Sequence, residues 1–309
     1  MTVRTREASP ALRRGLELGL VGIAAVWGFT FVTVKEAVER LPLYEFLALR
    51  FTLAAVVMTV LFWTQIRGLG RDGLLAGISA GIPLLAGYAF QTWGLEHTTA
   101  SNAGFVTGLF VVITPVLSAV VLRRRPGAAV WAGVVLATVG LFLLTARNGW
   151  SPRAGDLIVL GAAFSFAVQM VVLARVSPRY SAAGLATVQM WVAAVPCAVL
   201  ALLTEHLAAP TSAKVVWAVL VTGLAASALG YLVQTAAQRY VSPSRTAVIL
   251  ACEPAFAGLF GAVVLGERLS VRGWIGAALI LSGMLVAELA PRRGEGPAEA
   301  PAGAAGTAR

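Results

Sequence analysis

The residues best placed to do chemistry in this 309-residue chain are a few polar side chains inside long apolar runs. Glu253 stands about eight residues into the run 245–265, with Pro254 beside it. A carboxylate at that depth is costly in hydrocarbon and is by default a functional group. Taking up a proton relieves the cost, so Glu253 is the proton-coupling candidate. Pro254 frees the carbonyl near position 250 and favours a kink there. A structural role fits Glu253 as well, either satisfying freed backbone donors or pairing with a basic neighbour. Arg50 lies about seven residues into its own run. Facing a cavity, it could hold a substrate carboxylate through two parallel hydrogen bonds. Facing elsewhere, it ties helices together or snorkels to the surface. Lys35 ends the first run, where snorkelling and a cavity role are both open.

Two polar pairs share a pattern. Tyr88 and Gln91 are three residues apart, as are Tyr231 and Gln234, so each pair shares one helix face. An unpaired Gln in lipid costs free energy, so both faces are expected to point into the bundle. Cavity lining and interhelical hydrogen bonding both suit them. Gln189 falls opposite Arg50 in the repeat described below. Trp27 and Phe31 are four apart on one face, and Trp93, Phe110 and Trp191 are further aromatics within runs. An aromatic cavity would suit a partly apolar metabolite, while packing or lipid-facing roles fit each ring too. Asn102 begins its run, as a cap or a site residue.

Other chemistries find no support. The two His, His97 and His206, form no HExxH pair, and Lys35 and Lys214 sit in no phosphate-binding loop. Cys197 and Cys252 lie in apolar runs and read as small buried hydrophobes, without disulfide or metal spacing. No metal, cofactor or enzymatic nucleophile is expected. The net charge of +10 could suggest nucleic acid, but the Arg residues cluster between apolar runs, which is how membrane orientation is written.

The elements that hold these residues must be membrane helices. Charged residues make up 12% of the chain and hydrophobic ones 58%, with a mean hydropathy of +0.82. A soluble domain carries about 25% charged residues. Ten apolar runs follow one another: about 16–35, 43–64, 73–94, 101–122, 128–146, 156–175, 183–204, 214–237, 245–265 and 271–289. Each is of the order of the ~20 residues that cross a bilayer. The first continues past Trp27 and Phe31, too far for a cleaved signal, and reads as a retained span. With both termini placed in the cytoplasm, inner segments hold 16 Arg and Lys, and outer segments hold seven. That asymmetry favours a multi-pass inner-membrane protein with cytoplasmic ends. Residues 1–15 form a cytoplasmic segment and 147–155 a linker, and the tail 290–309 is too poor in apolar residues to fold.

The halves repeat. Gly87-Tyr88-x-x-Gln91-Thr92 matches Gly230-Tyr231-x-x-Gln234-Thr235 at an offset of 143, and 14 identities follow that offset over residues 85–146. Among them are Trp131 with Trp274, Gly133 with Gly276 and Gly140 with Gly283. Upstream the offset is nearer 139. Five spans per copy, 16–146 and 156–289, force the second to insert upside down. The expected fold is therefore all-α and integral to the membrane, ten transmembrane helices as two inverted five-helix repeats. Such repeats support alternating access, with a substrate site near the midplane.

Three stretches carry a family resemblance across about residues 16–289. They are Trp27-Gly28-Phe29-Thr30-Phe31-Val32 leading to Lys35 and Leu49-Arg50-Phe51; Gly94-Leu95-x-x-Thr98-Thr99-Ala100-Ser101-Asn102-Ala103 through Pro115; and Glu253-Pro254 with Gly266-Glu267-Arg268-Leu269. Together they resemble the EamA family of the drug/metabolite transporter superfamily. Arg123-Arg124-Arg125-Pro126 departs from a Gly-Glu-Arg-like turn often found after the family's fourth helix. The resemblance implies export or exchange of small metabolites, often amino acids or related compounds, with lipid and the small-molecule substrate as partners. It leaves open an uncoupled facilitator against a proton-coupled carrier, and a monomer against a homodimer. A membrane-embedded enzyme is the remote alternative.

Overall fold

The computed structural model describes residues 9–38, 41–95, 97–98, 100–123, 126–145, 154–204, 212–264 and 270–289. The tail from 290 and most of the linker at 147–155 lie outside these residues. Every regular element among the described residues is helical: α1 (Pro10–Val38), α2 (Leu43–Leu61), α3 (Trp63–Arg67), α4 (Gly70–Leu95), α5 (Ala100–Gly108), α6 (Phe110–Val121), α7 (Ala128–Thr145), α8 (Ala154–Val176), α9 (Ala182–Thr204), α10 (Ala213–Leu220), a π segment (Val221–Leu229), α11 (Gly230–Ala237), α12 (Pro243–Leu250), α13 (Glu253–Val264) and α14 (Val271–Leu289). Five stretches are long and apolar enough to cross a membrane: Tyr44–Leu61, Gly70–Gln91, Ala154–Val176, Ala182–Thr204 and Ala213–Ala237. Shorter apolar helices cover Val106–Val121, Ala128–Leu143 and Val271–Ala287.

Helices dominate because hydrocarbon offers no partner to an unpaired backbone group. Hydroxyls inside the spans obey the same rule. Those of Thr59, Thr114, Thr138, Thr187 and Thr222 each donate to the carbonyl four residues earlier, at 2.6–2.8 Å. Serine caps open four helices: Ser9, Ser181, Ser242 and Ser270 accept from the backbone N–H three residues on, at 3.2–3.4 Å.

Two runs read as single helices are broken. The chain leaves helix at Ala251–Cys252, between α12 and α13, because Pro254 cannot donate to Leu250. It also interrupts at Leu109, between α5 and α6, where i→i−3 bonds replace the regular ladder. Position 109 plus 143 is 252, so the breaks are repeat mates. A third irregularity, the π segment, interrupts the run read as 214–237. Elsewhere the differences are at ends: α1 begins at Pro10, before the apolar run, and α3 is a short helix between two runs.

Packing follows the repeat. A β-carbon on Gly133 would stand 2.7 Å from the Gly283 carbonyl oxygen, and one on Gly140 would stand 2.5 Å from that of Gly276. Position 133 pairs with 276 by sequence and 140 with 283, so each glycine meets the mate of the other. α7 and α14 thus cross antiparallel at backbone contact, as small residues allow in membranes. The same reciprocity holds inside: Trp27 rests on Gly230, and its counterpart Phe166, 139 residues on, rests on Gly87.

Gly140→Val is therefore expected to destabilise the protein by about 1–3 kcal/mol through overpacking against backbone. Gly22→Val, whose β-carbon would meet nothing within 4 Å, is the control. Thermal unfolding in detergent checks this, and equal midpoints for the two variants would contradict it.

Candidate functional site

The polar candidates converge where α1, α2, α4 and the π segment meet. Arg50 on α2 is 7% exposed. Its Nε and Nη2 both donate to Ser227 Oγ, at 3.2 and 3.0 Å. The guanidinium carbon stands 5.0 Å from the Phe51 ring centroid and 5.5 Å from that of Tyr88, so aromatic faces share the charge. Tyr88 on α4 and Tyr231 on α11 meet hydroxyl to hydroxyl at 2.9 Å. These are the repeat mates 143 residues apart, in direct contact. Phe51 and Phe166 both pack edge-on to Tyr88, with centroids 5.1 and 5.5 Å away.

Trp27 completes this group. Its ring lies 5.5 Å from Tyr231, and Nε1 donates to the Ala226 carbonyl at 2.8 Å. Ala226 and Ser227 both belong to the π segment, which thus presents one carbonyl to Trp27 and one hydroxyl to Arg50. π segments expose backbone and side-chain groups in this way at functional sites. Gly28 brings α1 against α13: a β-carbon there would lie 2.8 Å from the Glu253 carbonyl oxygen. Glu253 is half-buried at the first turn of α13. A carboxylate at that position faces the positive end of a helix dipole.

The Gln candidates go elsewhere. Gln234 Nε2 donates to Gln169 Oε1 at 3.1 Å, Gln169 Nε2 donates to Gln189 Oε1 at 3.0 Å, and Gln189 reaches Thr235 Oγ1 at 3.4 Å. All four side chains are at most 1% exposed, a buried polar chain joining α8, α9 and α11. Gln91 donates to Thr107 Oγ1 at 3.3 Å instead. The two Gln mates therefore do not meet as the Tyr mates do. Gln189, the counterpart of Arg50, is 0% exposed and makes no contact with it in these bonds. Phe110 is buried in a cluster with Leu20, Ala24, Met170 and Cys252, against which Trp27 also packs. Trp191 is 38% exposed and donates to Thr59 Oγ1 at 2.9 Å, on the face that carries exposed Val195, Val199 and Leu202. The side chains of Phe31, Lys35 and Asn102 lie outside the described residues. An apolar groove of about 400 Å³, lined in part by Leu49, Leu53, Val216 and Leu220, opens between α2, α9 and α10, and none of the candidates lines it.

Sequence reasoning missed Ser227, Gln169, Phe51 and Phe166. Gln169 carried a signal, being a lone amide in an apolar run. Ser227 carried none, since a hydroxyl can satisfy itself in any helix. No cluster of three or more His, Cys, Asp or Glu that could hold a metal occurs among the described residues.

With this geometry in place, comparison with known proteins decides the family. The model of the EamA-like transporter family matches residues 15–146 and again 153–288. The chain belongs to the EamA-like transporter family. It is thus a multi-pass membrane transporter of the drug/metabolite superfamily, built from two EamA repeats, and not an enzyme. An uncharacterized transporter of Archaeoglobus fulgidus is 32% identical over 274 residues, covering 88% of this chain and 85% of the relative. YwfM of Bacillus subtilis, also an uncharacterized transporter, is 27% identical, covering 87% and 92%. A Salmonella typhimurium protein named "probable amino-acid metabolite efflux pump" is 26% identical, covering 85% and 91%. A solved crystal structure shares the fold, with a TM-score of 0.78 at 19% identity, covering 89% of this chain and 97% of the other.

The Tyr88–Tyr231 contact in this EamA-like transporter is open to a double-mutant cycle. Tyr88→Phe and Tyr231→Phe are each expected to cost about 1 kcal/mol, and the double variant no more than the larger single one. Additive losses in thermal unfolding would show that the hydroxyls bond elsewhere.

Proposed function

We propose that this transporter exports or exchanges small metabolites, amino acids or related compounds, by alternating access through a central site. The observation that carries the reading is the meeting of Arg50, Tyr88, Tyr231 and Trp27 at the contact between repeat mates, with the helix of Trp27 packed at Gly28 against the Glu253 backbone. In this reading α5 with α6, α10 with the π segment and α11, and α12 with α13 each form one crossing, giving ten transmembrane helices as two inverted five-helix repeats. The antiparallel contacts of Gly133 with Gly283 and Gly140 with Gly276 support that arrangement. Paired helix breaks near the midplane are the usual mark of a transporter's binding region. The excess of Arg and Lys in alternate loops supports an inner-membrane protein with both termini in the cytoplasm. The name of the Salmonella relative supports this substrate class.

Roles follow from chemistry. Arg50 offers two or more N–H groups to an anionic substrate group, exchanging Ser227 for it. Trp27, Tyr88 and Tyr231 offer aromatic surface to an apolar part. Glu253 takes up and releases the coupling proton. Phe110, Gln91, Gln189 and Gln234 hold the surrounding helices in register, through the packing and hydrogen bonds given above. A lipid-facing place suits Trp191 better than a cavity one, given the apolar residues that share its face.

Vesicles reconstituted with the protein test this. Substrate counterflow without chemical conversion is expected, with accumulation that requires a pH gradient. Glu253→Gln is expected to lose gradient-driven accumulation while keeping counterflow, and Arg50→Ala to raise the half-saturation concentration about tenfold or more. Full accumulation by Glu253→Gln would sink the coupling role and leave an uncoupled facilitator.

A further inference from the structure

The π segment Val221–Leu229 exists in one repeat and not in the other. The shift of 143 makes its counterpart residues 78–86, which lie inside the unbroken helix α4. Proline does not account for the difference, because it stands on the regular side. Pro83 is the mate of Ala226 and cannot donate to the Ser79 carbonyl, yet α4 runs through it. The π segment itself contains no proline. A contact from outside the helix must hold it in the rarer form.

The hydrogen bonds at the end of the segment identify that contact. In a regular helix the Gly230 N–H would donate to the Ala226 carbonyl, four residues back. Here it donates to the carbonyls of Ala225 and Ser227 and passes over Ala226. The Ala226 carbonyl accepts from Trp27 Nε1 on α1 instead, at 2.8 Å. The indole lies over Gly230, where a β-carbon would stand 2.9 Å from the same nitrogen. The other repeat carries the comparison. Phe166, the mate of Trp27, lies over Gly87, the mate of Gly230, where a β-carbon would meet its ring at 2.5 Å. A ring covers the glycine in both repeats. Only the ring with an N–H covers a π segment.

We propose that Trp27 is a positioning residue: its indole N–H holds residues 221–229 in the π form and so sets Ser227 where Arg50 rests on it. The importance of this for transport rests on the reading above, in which Arg50 holds an anionic substrate group. Ser227 follows the carbonyl that Trp27 captures, and its Oγ accepts from both Nε and Nη2 of Arg50. Near the other end of the segment, a β-carbon on Gly223 would stand 3.1 Å from the Arg50 carbonyl oxygen, so α2 backs the segment closely there. Regular helix holds one residue fewer in each hydrogen-bonded turn, and one residue is about 100° of rotation. Straightening the segment therefore turns the Ser227 hydroxyl away from Arg50. The guanidinium then keeps only the faces of Phe51 and Tyr88. The mates of Arg50 and Ser227 are Gln189 and Leu84, so this grip belongs to one repeat alone.

Electron cryomicroscopy of the full chain in lipid nanodiscs reads the helix form directly. Trp27→Phe keeps a ring over Gly230 and loses the donor. Residues 221–229 are expected to become regular helix, with the Gly230 N–H on the Ala226 carbonyl and Ser227 Oγ out of hydrogen-bond reach of Arg50. Trp27→His keeps a ring N–H, since imidazole Nε2 can take the place of indole Nε1, and is expected to retain the π form. Ser227→Ala is expected to retain it too, because the indole bond survives. A π segment that persists in Trp27→Phe overturns the proposal. A regular helix in Trp27→His overturns it as well, since ring bulk and not the N–H would then hold the segment. A regular helix in Ser227→Ala also overturns it, by placing the hold in Arg50. These last two variants carry the test if Trp27→Phe does not fold. The readout needs no substrate. Unchanged half-saturation of Arg50→Ala in counterflow would overturn the substrate role of Arg50 and leave the hold of Trp27 on the segment standing.

Discussion

The whole arrangement depends on one constraint: in hydrocarbon, each backbone and side-chain polar group needs a partner inside the protein. Most of the chain meets it with regular helix. Where the helix yields, a specific side chain intervenes. The π segment turns the Ala226 carbonyl toward Trp27 Nε1 and the Ser227 hydroxyl toward Arg50. Trp27 and Arg50 are therefore both tied to the π segment. Remove the indole and a buried carbonyl loses its donor. Straighten the segment and Arg50 loses the oxygen that two of its nitrogens share.

This coupling explains why buried polar contacts and helix irregularity coincide. A regular helix offers a ligand nothing from its backbone. The break at Ala251–Cys252 puts Glu253 at the start of a helix instead of its middle. The equivalent break at Leu109 puts Phe110 in the matching position. One repeat thus supplies a carboxylate and the other a ring at related places. The two breaks are related in backbone and differ in chemistry, while the π segment has its counterpart, residues 78–86, inside the unbroken helix α4.

Much of the architecture was legible before any coordinates. The apolar runs and the offset of 143 locate the helices and relate the halves, because hydropathy acts locally. The inward turn of Tyr88 and Tyr231 was legible because each shares a helix face with a Gln that lipid would leave unpaired. Which partner each Gln mate would take was not legible, because an amide has four hydrogen-bonding positions and takes whichever neighbour is nearest. The π segment left no proline to mark it, although Gly223 and Gly230 flank its bend. Glu17 and Arg245 read as edge charges that limit a span or orient a loop. Both are 2% exposed, and their burial comes from three helix ends converging, a tertiary fact without a local signature.

The α7–α14 crossing has a further consequence. Gly133 meets the mate of Gly140, and Gly140 meets the mate of Gly133. That is the pattern of an isologous interface between two identical subunits. In a dimer of five-helix units, every residue would appear at both ends, so an arginine in Arg245's place would also occupy Asn102's. Joining the two units in one chain lets each copy of a position drift separately. The chain can then hold a cation at one of these positions and an amide at the other.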